Sequence, residues 1–367
     1  MRVLFTASGT GGHLVPAIRL AREVRERNQH CGILFVVGRR PLERQMVTAA
    51  GFELKVVPAQ GFVRHRPWRN VTVLWALAKS IVAARRIVRG FHPDVAVGTG
   101  GYVTGPVMYA AHRAGVPTLI HEQNRQPGLT TRWLSRIADQ ACVAFSDAIS
   151  ALKHPERVKV TGNPIDTEAL SCARATAAAR VGVNADRPTI LVTGGSQGAH
   201  TINENIARGL QAGSIPRGWQ LIWQTGERDF EPYRYLAAER EGIMIDPFIP
   251  DLARAMAAAD IIIARAGALT IAEITARGLP AVLVPFPHAA ADHQTQNARA
   301  LADAGAAVLI DDAVLGTTDL LRCCSEIVGD KERHIRMKES SRKLGRPQAT
   351  ASIVEEILRL GAHDSHE

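Results

Sequence analysis

The chain has few cysteines and no segment that could cross a bilayer. Cys31, Cys142, Cys172, Cys323 and Cys324 are odd in number and fit no zinc spacing, which argues against a disulfide framework and reads as idle thiols of a reducing compartment. No uncharged apolar run reaches the roughly 18 residues of a spanning helix. The start, Met1-Arg2-Val3-Leu4-Phe5, lacks the long apolar stretch and cleavage site of a signal peptide, so a cytoplasmic chain is expected. Asp-x-Asp occurs nowhere, so nothing in the sequence asks for a divalent ion at a diphosphate. Acidic residues are scarce in one half only: through residue 162 there are 23 Lys and Arg against 9 Asp and Glu, and beyond it 21 against 26. A basic half suits nucleic acid, an anionic membrane or a phosphorylated substrate.

What is present is alternation. Short β-branched runs separated by segments of helical period signal parallel sheets with crossover helices, and 367 residues at 46% apolar content suffice for two such α/β domains. Strands are expected at 3–6, 33–37, 54–57, 94–98, 117–121 and 140–144, then at 189–193, 220–224, 243–248, 260–264, 281–284 and 307–310, equal in number in the two halves. The turn Gly162-Asn163-Pro164 places the boundary between domains 1–162 and 163–345, and 346–367 forms a helix and tail expected to pack back on the first domain.

Two strand-turn-helix units stand out, Arg2–Ala7 into Gly9-Thr10-Gly11-Gly12-His13 and Thr189–Thr193 into Gly194-Gly195-Ser196-Gln197-Gly198. Each offers backbone N–H groups to an anion or a sugar hydroxyl where no Cβ intervenes. The first is not a dinucleotide fingerprint: position 14 is Leu, and the second strand ends in Arg39-Arg40 rather than an acid, which disfavours NAD and leaves NADP open through Arg39. His13 lies where a helix dipole disfavours the imidazolium, so it is a candidate general base; a His that merely caps the turn is the plainer alternative. Gly100-Gly101-Tyr102 and Glu122-Gln123-Asn124 end neighbouring strands, where open α/β sheets bind ligands.

In the second half, Ala268-Leu269-Thr270-Ile271-Ala272-Glu273 opens a helix just after a strand and the turn Arg265-Ala266-Gly267. Its N–H groups and the Thr270 hydroxyl suit a diphosphate, and Glu273 on the same face suits a ribose diol, although an ordinary helix start has the same look. Gln294 and Asn297 add sugar-like polarity at another strand end. From Phe62 to Arg89, Trp68, Leu74, Trp75 and Ile81 alternate with cations including Arg85 and Arg86. That mixture fits a helix on an anionic membrane and equally an amphipathic core helix.

Taken together, Gly9–His13, His121–Asn124, Gly162–Pro164, Gly194–Gly198 and Ala268–Glu273 resemble the MurG family of bacterial glycosyltransferases from Met1 to about Glu356. The resemblance implies the glycosyltransferase B architecture, two Rossmann-like doubly wound α/β domains facing across a cleft, donor in the second and lipid-linked acceptor in the first. It implies inverting transfer of N-acetylglucosamine from UDP-N-acetylglucosamine to the 4-hydroxyl of undecaprenyl-diphosphate-linked N-acetylmuramoyl-pentapeptide, at the cytoplasmic face of the membrane, without a cofactor or a nucleic-acid partner. Thr10, Gly11, Gly12, Asn124 and Gln294 would hold the transferred sugar, Ser196 and Ala268–Thr270 the diphosphate, Ile249 the uracil through its backbone, and Glu273 the ribose. His13 would be the base, with Gly100, Gly101, Tyr102 and Glu122 on the acceptor side. Asp166 stands where the family carries Arg, and a carboxylate there would repel a diphosphate. That departure keeps open another acceptor for the same architecture; a UDP-N-acetylglucosamine 2-epimerase shares the two-domain plan.

Overall fold

The structure, a computed structural model, describes residues 1–9, 11–59, 70–238, 240–289 and 292–362, and of residues 70–74 the helical backbone only. It divides into two compact units: Met1–Ile165 together with Gln348 onward, and Asp166–Pro347.

The first unit is built on one parallel sheet. Its strands are β1 Arg2–Thr6, β2 Gly32–Val37, β3 Glu53–Val56, β4 Val95–Gly98, β5 Thr118–Glu122, β6 Gln140–Val143 and β7 Val158–Val160, in the order β3-β2-β1-β4-β5-β6-β7. Along β1, Val3 and Phe5 enter one apolar layer and Leu4 the other, so both faces of the strand are covered by helices. The expectation of equal strand numbers fails here: Val158–Val160 pairs with β6 and makes a seventh strand.

The boundary also lies later than the turn at 162. Asn163 donates through Nδ2 to the Gln123 carbonyl at 3.1 Å, Arg19 donates to the Pro164 carbonyl at 3.0 Å, and the Ile165 amide donates to Thr350 Oγ1 at 2.9 Å. These bonds hold residues 163–165 in the first unit. Helix Ala349–Ala362 completes that unit, burying Ile353, Val354, Ile357 and Leu360 in the layer of Phe5 and Leu14. Lys159 Nζ meets Glu356 Oε1 at 2.6 Å beside it.

The second unit has β8 Thr189–Thr193, β9 Gln220–Gln224, β10 Ile243–Asp246, β11 Ile261–Ala264, β12 Ala281–Leu283 and β13 Ala307–Leu309, in the order β10-β9-β8-β11-β12-β13, all parallel. Leu191 points into one apolar layer, Ile190 and Val192 into the other. In both units the strand order reverses about the first strand, so a crevice opens at the carboxyl ends of β1 and β4, and again at those of β8 and β11. Such switch points are where open α/β sheets take ligands.

Candidate active site

The β1/β4 crevice is lined by residues 7–9, 11–13 and 99–103. Their loops are knitted together: the Ser8 amide donates to the Gly100 carbonyl at 3.1 Å, and the Val103 amide donates to Ser8 Oγ at 3.1 Å. Glycine is obligatory here. A Cβ on Gly101 (φ +90°) would stand 2.2 Å from the Ser8 carbonyl oxygen, and one on Gly100 (φ +115°) would stand 2.7 Å from His13 Nδ1. Gly100 and Gly101 thus make room for the His13 ring and the loop of Ser8; their backbone role is packing.

His13 is the third residue of helix Gly11–Arg27. Its ring is half-buried and its Nδ1 lies 2.8 Å from Gln123 Oε1, while Thr99 Oγ1 donates to the His13 carbonyl at 2.8 Å. Among the described residues, no protein group is hydrogen-bonded to Nε2. Pro16 in the second turn has no N–H, so the usual intrahelical donor to the Gly12 carbonyl is missing. Gly12 is exposed and Gly11 half-buried; Thr10 lies outside the described residues.

Glu122 is not where the sequence reading put it. It is buried, and its carboxylate accepts from the Asn124 amide at 3.1 Å, Asn124 Nδ2 at 3.2 Å and the Gly128 amide at 3.1 Å. It shapes the 122–128 loop and presents nothing to an acceptor; Asn124, half-buried above it, stays at the crevice. Tyr102 is likewise held from beneath, its hydroxyl donating to Glu43 Oε1 at 3.3 Å and its ring under the Arg40 guanidinium at 5.5 Å.

Sequence reasoning missed Glu43. Fully buried on helix Pro41–Ala49, it accepts from the Gly9 amide at 2.7 Å and the Gly38 amide at 2.9 Å, so one carboxylate ties the ends of β1 and β2 to Tyr102. The only signal available was an acid in the first helical turn, which a helix start favours anyway.

In the second unit, helix Ala268–Arg277 starts at Gly267, directly after β11, with the positive end of its dipole at the crevice. Thr270 and Glu273 are half-buried on one face, whereas Ala268 and Ile271 turn into the core; Leu269 and Ala272 are half-buried between them. The contribution of Ala268 and Ile271 is therefore backbone only.

Across the same switch point, Ser196 is exposed at the tip of the loop after β8, and Gly198 packs so closely on Thr225 that a Cβ would stand 2.0 Å from its carbonyl oxygen. Gln224, also missed, is buried and organises this side. Its Nε2 donates to the Gly195 carbonyl at 2.9 Å and its Oε1 accepts from the Ile249 amide at 2.9 Å. With that amide engaged, the carbonyl is the part of Ile249 left to read a base.

Gln294 Oε1 accepts from the Phe286 amide at 3.0 Å, and Asn297 is buried with Nδ2 on the Ala266 carbonyl at 3.2 Å. Asn297 supports the turn before the helix and does not face a sugar. Asp166 has an equally local role: it caps helix Thr167–Ser171, accepting from the Ala169 amide at 2.9 Å. Its carboxylate is engaged with its own helix.

Helix Asn70–Phe91 reconciles the two readings of that segment. Ala76, Ser80, Ala84 and Val88, four residues apart, face inward, while Trp75 is 66% exposed with Lys79 Nζ 5.2 Å from its ring centroid. Arg85 and Arg86 are exposed and Ile81 is half-buried. Trp68 lies outside the described residues, and for Leu74 only the helical backbone is described. Two further exposed apolar side chains, Leu129 at 75% and Trp133 at 43%, sit on helix Leu129–Leu134, which packs on helix Thr104–His112, itself packed on Asn70–Phe91. No helix among the described residues is long and apolar enough to cross a membrane.

Doubly wound twin units with glycine turns at both switch points place the chain among two-domain α/β proteins whose crevices lie at the carboxyl ends of the strands. The N-terminal domain model of glycosyltransferase family 28 matches residues 3–143 and its C-terminal domain model residues 189–355. The chain is 40% identical to the UDP-N-acetylglucosamine–N-acetylmuramyl-(pentapeptide) pyrophosphoryl-undecaprenol N-acetylglucosamine transferase of Desulforamulus reducens, over 98% of this chain and 99% of that one. It is 39% identical to the enzyme of the same name from Moorella thermoacetica, over 98% and 99%. The crystal structure of MurG from Acinetobacter baumannii superposes with a TM-score of 0.74 at 31% identity, covering 98% of this chain and 99% of that one. The chain belongs to the MurG family of glycosyltransferases. A UDP-GlcNAc 2-epimerase from Neisseria meningitidis, at 14% identity and a TM-score of 0.69 over 98% and 100%, shares the fold alone.

Proposed function

We propose that this chain moves N-acetylglucosamine from UDP-N-acetylglucosamine to the 4-hydroxyl of the muramic sugar of undecaprenyl-diphosphate-linked N-acetylmuramoyl-pentapeptide, the step that completes the lipid-linked disaccharide of peptidoglycan. The observation that carries it is identity of 40% along essentially the whole length to an enzyme of that name, with both glycine turns present at the switch points.

His13 removes the proton of the attacking hydroxyl as the bond to the anomeric carbon forms, so attack from the face opposite the leaving group inverts the α-linked donor to a β-linked product. UDP departs with its electrons and its charge falls on the start of helix Ala268–Arg277 and the loop of Ser196, where fixed N–H dipoles stabilise it. Glu273 accepts from the ribose hydroxyls, the Ile249 carbonyl meets the base, and Gly12, Asn124 and Gln294 meet the sugar. This electrostatics makes a divalent ion unnecessary, so turnover in excess chelator is expected to be unchanged.

The acceptor's long lipid puts the reaction at a membrane surface. Trp75 and the cations Lys79, Arg85 and Arg86 supply rings at headgroup depth and positive charge against anionic lipid, a peripheral attachment on the cytoplasmic side. Incubation of the protein with labelled UDP-N-acetylglucosamine, with and without lipid-linked muramoyl-pentapeptide, tests the reading. Label should enter lipid only when the acceptor is present; conversion of the free donor to its 2-epimer would replace this reading by the epimerase.

A further inference from the structure

The base reading leaves open which nitrogen of His13 carries the proton, since an imidazole can abstract a proton only through a bare nitrogen. The surroundings of Gln123 answer this from buried groups whose donor or acceptor character is fixed. Gln123 Nε2 lies 2.8 Å from the Thr99 carbonyl and 3.2 Å from the His121 carbonyl, both of which can only accept, so the amide nitrogen must face them. The same nitrogen lies 2.9 Å from His121 Nδ1, while His121 Nε2 lies 3.1 Å from the Gly162 carbonyl. A neutral His121 satisfies both contacts, donating from Nε2 and accepting at Nδ1. Its complete burial supports that state by pushing the imidazole down to about 4.

With its nitrogen turned inward, the amide presents Oε1 to His13 Nδ1 at 2.8 Å. An amide oxygen has no proton to give. We infer that Gln123 is a positioning residue for the proposed reaction: backed by the Thr99 and His121 carbonyls, it holds the proton of His13 on Nδ1 and leaves Nε2 bare to receive the proton of the incoming hydroxyl. The chain runs from the Gly162 carbonyl through His121 and Gln123 to His13, every member but the last buried. This rests on His13 being the base for its kinetic consequence, but the tautomer is a property of the protein without substrate.

Full-length protein labelled with 15N at histidine, with His13→Asn to assign the signal, reports the tautomer directly. Near neutral pH, His13 Nδ1 should show the shift of a protonated nitrogen and Nε2 that of a bare one. In Gln123→Leu the Nε2-protonated form should become populated and kcat should fall on the order of 10-fold to 100-fold, with the KM for UDP-N-acetylglucosamine held within about 2-fold. A wild-type His13 protonated on Nε2, or a folded Gln123→Leu with unchanged tautomer and kcat, overturns the inference. Should Gln123→Leu fail to fold, the wild-type spectrum still decides. Full turnover by His13→Ala would instead remove the base assignment and leave the tautomer result standing.

Discussion

The two units solve the same geometric problem with opposite chemistry. Each reverses its strand order about a central strand and starts a helix at the resulting crevice. In the first unit that helix carries an imidazole on its third residue, backed by a buried amide and a second imidazole. In the second, the helix Ala268–Arg277 carries a hydroxyl and a carboxylate on one face. On the proposed function, one crevice moves a proton and the other receives an anion and its sugar. The fold supplies a location, and a few side chains in the first helical turn decide what happens there.

The sharpest break of this contrast is to remove the proton acceptor while leaving the anion site whole. His13→Ala should cut kcat on the order of 10²-fold to 10⁴-fold, with UDP affinity measured by calorimetry nearly unchanged; a parallel loss of UDP affinity would mean the two crevices do not divide the work. Next comes an asymmetry in pH response. His121 titrates near 6.5 when unfolded and near 4 when buried, so the unfolded chain binds more protons between these values. Stability from this residue is therefore complete above about 6.5 and drains away as pH falls toward 4, by about 3 kcal/mol. Denaturant unfolding should show the first unit softening over that window, and His121→Gln should flatten the slope.

A smaller effect is expected on the other side. Glu273→Ala removes an acceptor from the ribose and should raise the donor KM roughly 10-fold with kcat little changed, as the loss of one hydrogen bond to a charged group implies. A defect confined to kcat would move Glu273 into the proton-handling half. Last, Trp75→Ala should weaken binding to anionic vesicles roughly 3-fold to 10-fold, and added salt should weaken both proteins. Binding to neutral vesicles of equal strength would deny the cations a part.

Most of the scaffold is legible from local pattern, because buried parallel strands are short β-branched runs: β8 and β9 begin and end where the sequence places them. Val158–Val160 falls outside the strand count read from the sequence because three residues beside a turn signal carry no periodicity of their own. The glycine turns and His13 were visible because backbone geometry restricts the residue type. Gln123, Glu43 and Gln224 were not read as site residues, since a buried polar side chain takes its meaning from partners far along the chain, 110 residues away for Gln123 and His13. Glu122 misled for the same reason: a carboxylate at a strand end looks available until its own loop folds over it. Leu129 and Trp133 lie on a helix of six residues, too short to show a face.

The helix Ala349–Ala362 belongs to the unit in which the chain begins, so the second unit is in effect an insertion in the first, entered after Ile165 and left before Gln348. Synthesis therefore finishes the second unit while the first still lacks the helix that closes its apolar layer. A nascent chain stopped short of residue 349 would expose Phe5, Leu14 and Val95 to water, and quality control, rather than catalysis, would be the first process to register the loss.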